Sequence, residues 1–135
     1  PAIKPDVVLL HAQQADELGN VQYRAPVFFD VLMAQAAKHV IVSVDRIVSH
    51  ETVRKSHALT RLSSAFVDAV VEAPFGAHPT VSAGFYDLDE AHVGEYVRAS
   101  SSEASFKDYL STYVHNCLGP EAYRRQIGDP AFIDA

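Results

Sequence analysis

The stretch PVFFDVLMAQAAKHVIVSV, Pro26 to Val44, changes its hydrophobic period part-way along. Its first part sets Phe29, Leu32, Met33, Ala36 and Ala37 at the i, i+3, i+4, i+7, i+8 spacing of one helical face, with Pro26 where a first-turn proline is tolerated. Its second part, Val40 to Val44, is a continuous apolar run, the form of a strand buried on both faces of a parallel sheet. A matching run, Val7 to Leu10, lies upstream behind Pro5 and Asp6, and a third spans Phe66 to Val71. Strand, helix, strand is a βαβ unit, whose crossover is nearly always right-handed. The expected fold is α/β, an open and mostly parallel sheet with flanking helices.

The flanking segments supply more helices. Ser49 can cap a short helix through SHETVRKSHAL, followed by a polar connection through TRLSS. DLDEAHVGEYVR is acidic at its start and basic at its end, the polarity that complements a helix dipole. In SSSEASFKDYLSTYVHNCLG, Ser100 and Glu103 fit a capping box, while Phe106, Tyr109, Leu110, Tyr113, Val114 and Cys117 form one stripe ended by Gly119 and Pro120. EAYRRQI adds a last short helix before Gly128. The sheet is thus expected to carry a helical carboxyl-terminal segment.

The bulk numbers fit one α/β domain over residues 1–135. About half the residues are apolar, and 11 basic against 17 acidic residues give a net charge of -6, with no basic cluster larger than a pair. Nucleic acid and anionic membrane surfaces are poor partners for such a chain. The single cysteine, Cys117, excludes an intrachain disulfide, and no apolar run approaches the roughly 20 residues that span a bilayer. No signal-peptide pattern opens the sequence, so a cytoplasmic location is expected.

In an open parallel sheet, ligands bind beyond the carboxyl ends of the strands. Two loops fall there. His11 to Pro26 is long for a strand-to-helix connection, which suggests function or a small hairpin, with a tight turn at Leu18–Val21 in which Gly19 or Asn20 takes a positive φ. VEAPFGAHPT, Val71 to Thr80, ends an apolar run with Pro74, Gly76, His78 and Pro79. Gly76 permits a turn or a close backbone approach, and His78 is a candidate for a direct chemical role against the commoner reading of a packing histidine. His11 reads as the end of a buried strand. Glu51 and Glu72 are the carboxylates to weigh as nucleophiles or as structural ion pairs. His50 and His57 stand seven apart and no His-x-His or His-x-x-x-His pair occurs, so no metal site is expected. A phosphate-binding glycine loop, a Gly-x-Ser-x-Gly elbow and a cysteine pair are all missing. Tyr109, Tyr113 and Cys117 read as packing residues.

Taken in order, DVVLLHAQQADELGNVQY, MAQAAKHVIVSVDRIV, VDAVVEAPFGAHPT and GFYDLDEAHVGEYV resemble the carboxyl-terminal half of the α subunit of family I CoA-transferases, the glutaconate CoA-transferase type. The Ala-Asp-x-x-Gly-Asn-Val and Glu-Ala-Pro-x-Gly-Ala-His-Pro segments carry the likeness together. The resemblance implies a fold related to sugar-phosphate isomerases and assembly with a β subunit, often as an α2β2 heterotetramer. It also implies a β-subunit glutamate that attacks an acyl-CoA and passes the coenzyme to a second carboxylic acid. Coenzyme A enters as substrate and no cofactor is implied. Nothing here matches the Ser-Glu-Asn-Gly context of that glutamate, and the α subunit's Gly-Gly-Phe segment is absent.

On that resemblance, the backbone amides of Gly76 and Ala77 stabilise an oxyanion, His78 orients a carboxylate, and Gly19 and Asn20 in LGNVQ form a facing wall of the substrate pocket. Rival readings are a hydrolase of the same fold that opens a ring of a CoA-linked steroid fragment, and a non-catalytic scaffold subunit. Two weaker ones are an amino-terminal base at Pro1 and a free-standing sugar-phosphate isomerase.

Overall fold

The computed structural model describes residues 3–133; Pro1, weighed above as a base, lies outside them. The chain divides into two compact units, one ending at Gly76 and the other beginning at Ala77.

The first unit is a five-stranded mixed sheet with two short helices. In chain order these are β1 (Val7–Asp16), β2 (Val21–Gln22), α1 (Asp30–Ala36), β3 (His39–Val48), α2 (His50–Lys55), β4 (Thr60–Leu62) and β5 (Ala69–Glu72). The sheet order is β4-β2-β1-β3-β5. The expected parallel core is present, because β1 pairs with β3 and β3 with β5 in parallel. The long loop after β1 contains the small hairpin, and TRLSS, expected as a plain connection, pairs antiparallel with β2.

Both long strands run further than their apolar cores. β1 continues through His11-Ala12-Gln13-Gln14-Ala15-Asp16, so His11 stands mid-strand and not at a strand end. Internal partners let these polar side chains remain in a sheet. Gln14 Nε2 donates to Gln22 Oε1 at 2.7 Å, and Gln22 Nε2 donates in turn to the Val53 and Ser56 carbonyls. Buried amides left without such partners would cost about 1–3 kcal/mol each.

Alternation along β1 sends Val8, Leu10 and Ala12 into the core, opposite Val40, Val42 and Val44 of β3. Val21, Tyr23, Ala34 and Leu62 complete the cluster. Each fully buried Val or Leu stabilises the fold by about 1.5–3 kcal/mol. The opposite face differs from expectation. Val7, Leu9 and Val71 are exposed on it, Leu9 by 72%, so the first part of β1 is buried on one face only, whereas Gln13 and Asp45 are buried on this face further along.

Helix α1 departs from its sequence pattern in the same way. The stripe of Phe29, Leu32 and Met33 faces outward, Phe28 is 81% exposed, and Ala34 is the helix residue turned into the core. Seven residues make only two turns, and a helix this short takes its orientation from the core contacts of Val27, Ala34 and Ala37. Helix α2 is capped as read, by Ser49 Oγ accepting from the Thr52 amide at 3.2 Å.

The second unit holds α3 (Glu90–Ala99), α4 (Glu103–Leu110) and α5 (Pro120–Gln126). The cap of α4 is Ser102, whose Oγ accepts from the Ser105 amide, and not Ser100. Ser100 Oγ is already donated to the Val97 carbonyl at the end of α3. After α4 a π turn spans Ser111–His115, closed by Asn116 N–H to Ser111 O at 3.0 Å. The extra residue in that turn rotates the predicted stripe: Phe106, Tyr109, Leu110 and Tyr113 stay half-buried while Val114 turns outward. Cys117, expected in the core, is likewise only half-buried, its thiol donated to the Thr112 carbonyl. Among the described residues, no helix is long and apolar enough to cross a membrane.

Candidate functional site

In the sheet unit, polar side chains gather toward the carboxyl ends of β1 and β3. Asp16, the last residue of β1, is fully buried, and both its oxygens are saturated. Oδ1 accepts from the amides of Leu18 and Asn20, at 3.1 and 2.8 Å. Oδ2 accepts from Asn20 Nδ2 at 2.9 Å and from His50 Nδ1 at 2.7 Å. Gly19 takes the positive φ of the turn, +93°, and an added Cβ would press on Val67 at 3.2 Å. Asn20 Oδ1 accepts from the Ser64 amide. Gly19 and Asn20 therefore form a closed Asx-type turn whose polar groups serve the fold.

Burial pushes the Asp16 carboxyl upward, but the hydrogen bonds from His50 and Asn20 outweigh it and leave the pKa below the ordinary value of 3.8. An ionised carboxylate only accepts, so His50 carries its proton on Nδ1, an assignment made from the network. Its ring is about half exposed, at 51%. It lines one depression of about 450 Å³ with Glu17, Leu18 and Val48, and another of about 410 Å³ with Glu51, Arg54 and Lys55.

The open face of the sheet carries a second histidine. His11 Nδ1 lies 2.9 Å from Ser43 Oγ and Nε2 lies 3.4 Å from Asp45 Oδ2. The buried Asp45 also accepts the Phe75 amide at 2.9 Å, which pins the turn after β5. Phe75, not Gly76, takes the positive φ there, at 62°. Gly76 instead provides the close approach: an added Cβ would stand 2.7 Å from His11 Cε1 and 2.9 Å from the Ala73 carbonyl.

The amides expected to face an oxyanion are engaged elsewhere. Gly76 N–H donates to Ala73 O at 2.9 Å, and Ala77 N–H donates to Tyr86 Oη at 3.0 Å. Both form folded-state bonds in this structure, because the turn needs them to close. Glu72 accepts the Ile47 amide and Glu51 pairs with Lys55 on the same helix, so both carboxylates have structural partners.

His78 belongs to a cluster in the helical unit. Its Nε2 lies 3.2 Å from Asp89 Oδ2 and its Nδ1 lies 2.8 Å from Tyr123 Oη. Asp89 caps α3 by accepting the His92 amide through Oδ1, and His92 Nε2 lies 2.8 Å from Tyr109 Oη. Tyr113 donates to Glu95. Burial lowers the His92 pKa below 6.5, with the neighbouring His78 adding to it, while the His92 amide is the main cause that lowers Asp89. Burial also raises the tyrosines, Tyr123 to about 12, so their hydroxyls stay protonated at neutral pH.

A further depression of about 640 Å³ is lined by Tyr23, Arg24, Phe28 and Arg61 among others. Among the described residues, the buried Tyr23 hydroxyl beside it has no hydrogen-bond partner.

Sequence reading singled out Gly19, Asn20, Gly76, Ala77 and His78 but missed Asp16 as the partner of Asn20, Asp89 and Tyr123 as partners of His78, and the pairing of His50 with Asp16 and of His11 with Asp45. Asp16 was visible inside the Ala-Asp-x-x-Gly-Asn-Val motif. Asp89 carried the signature of a helix cap, and neither signal says which histidine folds onto it.

The Coenzyme A transferase family model matches residues 1–73, more than half the chain. The chain belongs to the coenzyme A transferase family. The α subunit of glutaconate CoA-transferase from Acidaminococcus fermentans is 34% identical over 99% of this chain and 42% of that protein. The crystal structure of that enzyme superposes with a TM-score of 0.90, covering 95% of this chain and 40% of that one. The IpdA subunit of the cholesterol ring-cleaving hydrolase of Mycobacterium tuberculosis is 36% identical over 84% of this chain and 40% of that protein. This family member thus spans less than half the length of the curated relatives it matches.

Proposed function

We propose that this chain is part of the α subunit of a CoA-transferase that moves coenzyme A from an acyl-CoA thioester to a carboxylic acid. A second subunit supplies the glutamate that forms the covalent intermediate, and an α2β2 assembly is the expected form, in the cytoplasm. The observation that carries this reading is the match to the α subunit of glutaconate CoA-transferase, 34% identity over 99% of the chain together with a TM-score of 0.90. Residues 1–135 are its carboxyl-terminal part in this reading.

Within it, the Gly19–Asn20 turn and Gly76 in the sheet unit, and Ala77 and His78 in the helical unit, act on the substrate through shape. Their hydrogen-bonding groups are occupied by Asp16, Ser64, Ala73, Tyr86, Tyr123 and Asp89. Rigid loops of this kind place a reacting group without reorganising during the reaction.

The similarity to IpdA favours one second reading, hydrolysis of a CoA-linked ring. The two separate by the acceptor. The complex isolated from its own cells is to be sized by native mass spectrometry and then given an acyl-CoA with and without a carboxylic acid. Transfer produces the acceptor's CoA thioester only when the acid is present. Incorporation of solvent oxygen into the product without any acid selects the hydrolase, and a chain that runs without a second subunit removes the transferase reading.

A further inference from the structure

We propose that His78, Asp89 and His92 form a binding site for a divalent transition-metal ion, with Zn²⁺ the best fit. The ligand atoms of all three lie within 4.8 Å of one another. His78 Nε2 and Asp89 Oδ2 are 3.2 Å apart. That is close to the separation of about 3.3 Å that two tetrahedral ligands adopt around zinc with bonds of about 2.0–2.1 Å. The two imidazole rings meet edge to face, with centroids 5.0 Å apart.

The surroundings are those of a metal centre. Ligating histidines usually give the other ring N–H to an acceptor, which fixes the tautomer. Tyr123 Oη holds Nδ1 of His78 and Tyr109 Oη holds Nε2 of His92, each at 2.8 Å. Each tyrosine oxygen can accept a ring N–H, so the tautomers with the proton on His78 Nδ1 and His92 Nε2 present lone pairs on His78 Nε2 and His92 Nδ1 to an ion. In the metal-free state the Asp89 carboxylate accepts Nε2–H of His78 and Nδ1 accepts from the Tyr123 hydroxyl; on binding, the ion displaces the proton from Nε2, and the bound tautomer carries its proton on Nδ1, donated to Tyr123 Oη. Asp89 Oδ1 keeps the His92 amide, so the helix cap survives. The His78 side chain is buried, 6% exposed, whereas that of Asp89 is 37% exposed, which gives the ion an entry side and leaves a fourth position to water. Two imidazoles and one carboxylate select a first-row transition metal over Ca²⁺ or Mg²⁺, which take oxygen ligands. The ion would clip the loop carrying His78 to the start of α3.

The test uses the 135-residue chain stripped with a chelator, titrated with Zn²⁺ by calorimetry and with Co²⁺ by visible absorption. One equivalent of each metal, the intense visible bands of tetrahedral Co²⁺, and a raised melting temperature are expected. His78→Gln and Asp89→Asn should each weaken binding at least about tenfold. Asp89→Asn keeps an acceptor oxygen for the cap, and circular dichroism reports the fold of each variant. His115→Ala, outside the cluster, should bind as the parent does. No saturable binding, unchanged affinity in both ligand variants, or loss of binding in His115→Ala overturns the site. None of these readouts depends on CoA chemistry, so the transferase reading stands or falls separately.

Discussion

The sheet unit and the helical unit each join histidine to aspartate, with opposite burial. Asp16 is wholly buried while its partner His50 is about half exposed; His78 is buried while its partner Asp89 is partly open. The buried member decides what the pair does. A buried carboxylate must have every lone pair met, so Asp16 organises a turn and offers solvent only the far nitrogen of His50. A buried imidazole can be met by a tyrosine hydroxyl that either donates or accepts, so the helical cluster can change tautomer and turn a lone pair toward an ion. The first pair is an architectural clamp, and the second has the makings of a binding site.

The comparison breaks most easily at Asp16. Asp16→Ala strands the amides of Leu18 and Asn20, and a loss of about 2–4 kcal/mol is expected in urea unfolding. A cost below about 1 kcal/mol would mean that the turn holds itself. Gly76→Ala comes next, at about 1–3 kcal/mol, because its Cβ meets both His11 and the Ala73 carbonyl. Asp89→Ala in metal-free protein should cost only about 1 kcal/mol, the value of a helix cap. Equal losses for Asp16→Ala and Asp89→Ala would erase the distinction between the units.

Acid sharpens the same contrast with the smallest effect. The lowered pKa of His92 means that protonation opposes folding, so its contribution is full above about pH 6.5 and is lost as the pH falls. Asp16, also lowered, contributes above about 3.8 and loses that contribution as the pH falls through its folded value. Unfolding midpoints measured from pH 8 to pH 3 should show two declines, and His92→Gln should remove the upper one alone.

Much of the fold was legible because it rests on local pattern. The apolar runs at Val7–Leu10 and Val40–Val44 placed the parallel strands, and Ser49 placed the start of α2. The readings of α1 and of the helix after Ser102 were less complete. The outward stripe of α1 looks like any amphipathic face, and the π turn that rotates Val114 outward has no hydrophobic period of its own. The candidate site was half legible. Gly19, Asn20, Gly76 and His78 stand out as loop residues, but Asn20 and His78 are also committed to Ser64 and Tyr123, far along the chain.

By itself the sequence determined the strand cores, the start of α2 and the family likeness. These depend on side-chain periodicity, capping and motif order, all of which are written within a few residues. Only the tertiary structure decided that Asp16 meets His50, that Asp45 pins Phe75, and that His78, Asp89 and His92 converge. Those contacts are set by strand register and loop closure, and no local pattern encodes the distance between residues that separate elements bring together.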